Sequence, residues 1–260
     1  MTAHSVEKWI IPVASSFDLS QYPKCSGTVM VVSPHPDDDV IGMGGTMSVL
    51  ADKGFNVFSI YVTDGSSKAF ENYGKKEISA VRQKEALNAL CIVKAKAGIF
   101  LGHKSADLKA DKVVEEIKEI LDLFRPEQIY VTSPFERHPR HLQVTDLTIR
   151  AVRALKSTCL ELWGYNVWGG SFGAKDMKKV DVSKFIKIKT RAIHCHKSQV
   201  DVKDYASGTI GRNRYEGVFL ETHLKKSFEY AETFVNMKRL VVHKRLSLKG
   251  FLSRAQSPRL

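Results

Sequence analysis

Up to residue 155, short apolar runs alternate with segments whose apolar residues recur every three to four positions. Residues 29–33, 56–63 (Phe58, Ile60, Val62), 98–101 and 128–133 read as strands. Between them, 44–52 reads as a helix closed by Gly54, and 78–90 as a second with Val81, Leu87 and Leu90 on one side. Residues 111–124 carry the clearest 3.6 period, through Val113, Val114, Ile117, Ile120, Leu121 and Phe124, and Pro126 marks the end. Residues 143–155 form the fourth helical segment, with Leu147, Ile149, Ala151 and Val152 apolar.

This alternation predicts βαβ units: an α/β fold with a mostly parallel open sheet and helices on both faces. Right-handed crossovers bring successive strand ends to one edge of such a sheet. After Glu161 the pattern changes. Residues 162–168 read as an aromatic-bearing strand and 182–197 as an amphipathic helix with Phe185, Ile186, Ile188 and Ile193. Trp163, Tyr165 and Trp168 read as core, given their apolar neighbours, with a substrate groove as the alternative. With no internal repeat and no low-complexity linker, residues 1–260 read as a single domain.

The candidate chemistry sits where two strands end. His35-Pro36-Asp37-Asp38-Asp39 follows the first strand, and Glu136-Arg137-His138-Pro139-Arg140-His141 follows the fourth. The carboxyl edge of an open α/β sheet is where sites form. His35 and Asp38 can share a metal if the chain turns at Pro36, and His141 can supply a third ligand. Asp37 is then left beside the metal, able to take a proton from activated water, and His138 can donate to an oxyanion. Two imidazoles and a carboxylate suit Zn2+ or Fe2+. The bland alternatives are an acidic helix cap for residues 37–39 and surface histidines for 138 and 141. The glycines 42, 44 and 45 tempt a dinucleotide reading, but Met47 stands where a third glycine belongs, and close strand–helix packing is the better account.

Composition narrows the setting. The 260 residues are 43% hydrophobic and 26% charged, as in a globular protein. There is no apolar stretch of membrane-spanning length and no basic-then-apolar leader in residues 1–20, so the cytoplasm is the expected compartment. Cys25, Cys91, Cys159 and Cys195 are widely spaced, which argues against a disulfide framework or a zinc ribbon. A metal cluster of His194, Cys195 and His196 is disfavoured because alternate side chains point to opposite faces. The net charge is +12, and residues 225–260 hold nine Lys/Arg against two acids. This basic end suits an anionic partner or, through Leu246, Leu248, Phe251 and Leu252, a weak membrane-surface contact. No aromatic-interleaved basic groove or recognition motif supports nucleic-acid binding. A homo-oligomer is left open.

The residues also carry a resemblance. His35-Pro36-Asp37-Asp38 followed by Gly44-Gly45-Thr46 resembles the first signature of the LmbE-like (PIG-L) deacetylase family. Thr63-Asp64-Gly65, Arg82-x-x-Glu85, His138-x-x-His141, His196-Lys197-Ser198-Gln199 and Tyr230-Ala231-Glu232-x-Phe234 resemble further family segments in the same order, covering about 28–234 and leaving 235–260 as a basic C-terminal segment. The resemblance implies a Rossmann-like open sheet and a zinc-dependent hydrolase that removes the N-acetyl group from an N-acetylglucosamine conjugate. It implies His35, Asp38 and His141 as metal ligands, Asp37 as general base and then acid, and His138 as oxyanion donor. Asp64, Arg82, Arg140 and Tyr230 are the candidates for substrate contact, Arg82 having a surface ion pair with Glu85 as its alternative.

Two departures stand out. Asp39 replaces the family's usual Glu, and Arg140 replaces the Asp of His-x-Asp-His. An arginine aimed at His138 disfavours its protonated form. One aimed outward can meet an acidic group on the substrate, and Glu136 or Asp146 can stand in for the missing acid. Arg140 is also the feature that favours a non-catalytic, metal-containing glycan-binding protein. A hydrolase of another N-acyl group is the remaining alternative. The positive charge favours an anionic conjugate.

Overall fold

Val29, Met30, Val31 and Val32 are all fully buried, which a strand achieves only when both faces of its sheet are covered. The computed structural model shows how. It describes residues 4–22, 27–66, 75–155, 160–170, 174, 176–219 and 227–242. In chain order the elements are α1 (His4–Glu7), β1 (Ile10–Pro12), β2 (Thr28–Ser33), α2 (Asp38–Asp52), β3 (Asn56–Thr63), α3 (Lys75–Ile92), β4 (Ala97–His103), α4 (Ala110–Phe124), β5 (Gln128–Thr132) and α5 (Pro139–Arg153). There follow β6 (Glu161–Tyr165), β7 (Met177–Asp181), α6 (Ile186–His194), α7 (Lys197–Val200), α8 (Tyr205–Phe219), β8 (Ala231–Asn236) and α9 (Lys238–Val242).

The eight strands form one sheet in the order β1-β4-β3-β2-β5-β6-β8-β7. From β4 across to β6 every pairing is parallel, while β1, β8 and β7 attach antiparallel at the two sides. Period-two alternation sends Met30 and Val32 to a core shared with α4 and α5, and Val29 and Val31 to a core shared with α2, α3 and α6. This is the open α/β architecture that the alternation predicts. The chain steps from β2 outward through β3 to β4, then returns to the other side of β2 with β5. The reversal between β2 and β5 opens a crevice at their carboxyl ends. The two His/Asp clusters follow these two strands.

The boundaries differ from expectation where chemistry intrudes. Helix α2 starts at Asp38, not at 44, and is broken at Met43 (φ −145°, ψ 23°). Gly42 and Gly45 explain its close seat: a Cβ on Gly42 would lie 2.3 Å from the Tyr165 ring, and one on Gly45 2.7 Å from Val182. Helix α5 starts at Pro139, four residues early, with Pro in the first turn and His138 as N-cap. His141 is thus a first-turn helical residue and not a strand-end one. The segment 182–197 is a 3-10 turn (Ser183–Phe185) leading into α6, and α7 begins at its end. Among the described residues no helix is long and apolar enough to cross a membrane. Cys91 and Cys195 are free thiols, whereas Cys25, Cys159 and the basic stretch 243–260 lie outside the described residues.

Candidate metal centre

After β2 the chain turns through Pro34-His35-Pro36, and the His35 backbone N–H and Nδ1 both lie 2.9 Å from Asp38 Oδ2. Asp38 opens α2, where a carboxylate is favoured by the helix dipole. From α5, fully buried His141 places Nε2 3.2 Å from the same Asp38 oxygen. That contact is too poorly aligned to be a hydrogen bond, so Nε2 is buried without a hydrogen-bond partner. One ligand atom from each of His35, Asp38 and His141 lies within 4.8 Å of the others. An orphaned imidazole nitrogen facing a carboxylate and a second imidazole fits a bound cation.

The electrostatics agree. Burial opposes charge on His141, yet Asp38 and Glu136 overcome it and raise the imidazole to about 10. Burial also opposes charge on Asp38, yet His141 and His35 hold it well below the usual carboxylate range. The pocket therefore demands a positive charge at the point between these side chains, whether a proton or a metal ion supplies it.

Glu136 is the next shell. Its Oε2 lies 3.0 Å from His141 Nδ1, and the carboxylate accepts backbone N–H bonds from Val167, Trp168 and Gly169. Despite burial, the His141 contact and these N–H groups lower its pKa. A carboxylate on the far nitrogen of a ligand histidine fixes the ring's tautomer and orientation. The same carboxylate fastens the Trp168 segment, so one buried residue ties the ligand to the cleft wall.

Asp37 lines the cleft beside the trio. Its Oδ1 accepts from Arg82 Nη2 at 2.8 Å, a buried pair that crosses from α2 to α3. Arg82 Nη1 also donates to Gly65 O. Burial raises the Asp37 pKa, Arg82 opposes this, and Asp38 adds to it. Arg82 does not pair with Glu85, which instead accepts from the Ser198 N–H and hydroxyl. Residues 37–39 are not a helix cap either: Asp37 makes no capping bond, and Asp39 turns inward to Ser59 and Tyr61. Burial pushes Asp39 to about 6 against those two bonds.

His138, half-buried, caps α5 by accepting the Arg140 N–H on Nδ1 at 3.2 Å. Burial, then His141 and His35, lower its pKa. A neutral ring accepting on Nδ1 carries its proton on Nε2 and is a donor there. Its ring centroid is 5.3 Å from that of His35 and 4.7 Å from that of His141.

The cleft holds about 250 Å³ and brings together His35, Asp37, Asp38, Arg82 and His138 with Trp168 and Tyr205. Three residues advanced for substrate contact do not line it. The Asp64 carboxylate accepts from its own loop, at the Ser66 N–H and hydroxyl. Tyr230 lies under Arg214 and donates its N–H to Ser183. Arg140 points its guanidinium at Ser105 and Gln143, so it braces the cleft wall at Ser105 and faces neither His138 nor the cleft. The aromatic trio divides: Tyr165 is core, Trp163 is half-buried beneath Lys178, and Trp168 is 43% exposed in the cleft. His196 is buried with neither ring nitrogen hydrogen-bonded, and with His194 and Cys195 it forms no metal cluster among the described residues. Ser105 and Tyr205 line the cleft but carry no sequence signal, since their loops and helices meet only in three dimensions, whereas Gln199 ends the His196–Gln199 segment that the resemblance marks.

The family model for GlcNAc-PI de-N-acetylase (PIG-L) matches residues 30–152. These residues form a PIG-L family domain. The stretch runs from β2 to α5 and holds all three members of the trio, with Asp37, Arg82, Glu136 and His138. Over 187 residues the chain is 29% identical to the diacetylchitobiose deacetylase of Thermococcus kodakarensis, covering 66% of this chain and 69% of that protein. Over 134 residues it is 31% identical to a probable N-acetyl-alpha-D-glucosaminyl L-malate deacetylase 2 of Bacillus cereus, covering 48% and 60%. The structure of N,N'-diacetylchitobiose deacetylase from Pyrococcus horikoshii superimposes with a TM-score of 0.71 at 25% identity, covering 87% of this chain and 90% of that one. The similarity therefore extends beyond the PIG-L stretch to the antiparallel side of the sheet.

Proposed function

We propose that this cleft hydrolyses the N-acetyl group of an N-acetylglucosamine conjugate to acetate and a free amino sugar, and that the ion held by His35, Asp38 and His141 is zinc. The observation that carries the reading is the trio of part-buried His35 with buried Asp38 and His141, and Asp37 beside it in one cleft. The named relatives, deacetylases of N-acetylglucosamine-containing molecules, support the substrate class. When bound, the metal supplies Lewis acidity that polarises the acetamide carbonyl and makes water a nucleophile at neutral pH.

The chain's own groups do the rest. Asp37 accepts the proton lost by the attacking water and returns it to the departing amine nitrogen. Arg82 holds that carboxylate in place through Oδ1, and among the described residues Oδ2 has no hydrogen-bond partner. His138, a neutral donor through Nε2–H, hydrogen-bonds the oxygen of the acetyl carbonyl as negative charge develops on it. Glu136 keeps the His141 tautomer fixed. The non-catalytic reading drew on Arg140, whose guanidinium is taken up by Ser105 in the cleft wall and does not itself line the cleft.

The test is acetate release from a panel of N-acetylglucosamine conjugates by metal-stripped protein reloaded with zinc, cobalt or iron(II). Metal-dependent release is the expected result. Absence of release from every conjugate, with one equivalent of metal bound, overturns the reading.

A further inference from the structure

The outer part of the cleft has a composition of its own. Trp168 stands with its ring centroid 6.4 Å from that of His138. Tyr205, the first residue of α8, meets it edge-on at 5.8 Å. Lys203 Nζ lies 4.0 Å from the Trp168 ring centroid and 6.0 Å from that of Tyr205. The platform is fixed from two directions. Glu136 grips the Val167, Trp168 and Gly169 N–H groups, and Arg212 Nη1 donates to Val167 O at 2.9 Å. Such preorganisation lowers the cost of ordering a binding surface.

Charge distinguishes this rim from the floor. On the floor, Arg82 is paired with Asp37, and Asp38 belongs to the ion-binding trio. Lys203 makes no ion pair among the described residues. Its neighbour Asp204 is occupied at the start of α8, accepting the Ser207 N–H. An exposed cation held against an aromatic face keeps its attraction for an anion arriving from solvent. An uncharged sugar offers it nothing that water does not.

We propose that Trp168, Tyr205 and Lys203 form a distal subsite that takes the moiety attached to the amino sugar, and that this moiety carries an anionic group, a carboxylate or a phosphate. The assignment of the sugar itself rests on the deacetylase reading. The flat, amphipathic faces of Trp168 and Tyr205 suit contact with a sugar or its linker, and Lys203 adds selection for charge. The cleft is then graded from an ion-binding floor to a cationic rim.

The test compares N-acetylglucosamine 1-phosphate and N-acetylglucosaminyl malate with two neutral ligands, methyl N-acetylglucosaminide and diacetylchitobiose. Zinc-loaded full-length protein and its Lys203→Glu and Trp168→Ala variants are measured by calorimetric binding and by acetate release. Wild type is expected to bind at least one anionic conjugate about tenfold more tightly than the neutral ones, the scale of one charged hydrogen bond. Lys203→Glu is expected to erase that ratio, whereas Lys53→Glu, the same charge change far from the cleft, is expected to keep it. Trp168→Ala is expected to weaken all four ligands. The phosphate and malate arms identify which anion the rim selects. A ratio near one in wild type, or a ratio that survives Lys203→Glu, overturns the subsite. Binding that depends on Lys203 without acetate release leaves the subsite standing and overturns the deacetylase reading.

Discussion

Helix α2 carries two buried ionic clusters, and they are built to opposite specifications. At its start Asp38 meets His35 and His141, with Asp37 and Arg82 alongside. Past its break at Met43, the Gly45 and Thr46 N–H groups donate to the Glu232 carboxylate, which Lys189 Nζ meets at 2.6 Å while also donating to Asn213. The second cluster is closed: both Glu232 oxygens are hydrogen-bonded, and the carboxylate caps the renewed helix where bare N–H groups gather. The first is open: His141 Nε2 has no hydrogen-bond partner, and the cluster borders a cleft. Burying a carboxylate with both oxygens bonded and an ammonium beside it fixes a fold, and burying charge around an unfilled imidazole nitrogen prepares a place for an ion.

The largest expected effect on turnover falls on the open cluster. Asp37→Ala is expected to lower kcat by about 10²–10⁴-fold. Bound metal, measured by elemental analysis, is expected to stay at one equivalent. A variant that lost metal in proportion to activity would make Asp37 a ligand and erase its separate role.

The closed cluster is expected to answer in stability. Glu232→Ala leaves the Lys189 ammonium buried without its partner and strands two backbone N–H groups. The expected cost is about 3–5 kcal/mol by denaturant unfolding. Glu136→Gln lies between the two regimes. It keeps the Val167–Gly169 anchor partly in place but weakens the support of His141, so zinc affinity is expected to fall about 10–100-fold in a competitive chelator titration.

These contrasts also explain how much could be read from the chain. The trio was legible because each member sits within a few residues of a strand end, and the βαβ rhythm says which strand ends share an edge. Asp37–Arg82 was not, since the pair joins residues 45 apart through the packing of α3 across the sheet edge. Glu136 offered only a nearby carboxylate, and its grip on residues 167–169 depends on β6 lying next to β5. The early start of α5 was signalled by Pro139 at the first turn, but a histidine N-cap hid it. Trp168 could not be separated from Trp163 and Tyr165 by composition, because all three share one apolar segment and differ only in where β6 ends. The antiparallel additions β7 and β8 follow from long-range pairing that no local period records.

His196 adds a pH dependence that neither cluster shares. Burial, reinforced by Arg82, depresses its pKa from 6.5 to about 3. Folded protein therefore holds this ring neutral while the unfolded chain protonates it below about 6.5. Its contribution to stability is complete above that value and declines as pH falls toward 3. The loss is at most about 1.4 kcal/mol per pH unit. Unfolding midpoints measured from pH 7.5 to pH 4 are expected to fall less steeply for His196→Gln than for wild type. Parallel slopes would mean that the ring is protonated or hydrated in the native state.

The smallest expected effect is at Arg140, and it sharpens the comparison by subtraction. This arginine stands where the family's pattern has an acid, beside a histidine that the mechanism needs, and on sequence alone it threatens the open cluster. The structure removes the threat by direction. The guanidinium bonds Ser105 and Gln143, and the Arg140 contact that His138 receives is the backbone N–H. That bond survives any side-chain change except proline. Arg140→Ala is therefore expected to move kcat by no more than about two- to threefold, the range of a surface change within about 0.5 kcal/mol. Its pH profile is expected to overlay that of wild type. Arg140→Asp asks the stronger question. A carboxylate on this turn of α5 favours the protonated His138 ring, so the acidic limb of the profile, where the neutral donor is lost, is expected to move upward. If Arg140→Ala alone shifted that limb, the guanidinium would be acting on His138 after all, and the donor would owe its neutral state to charge and not to the helix cap.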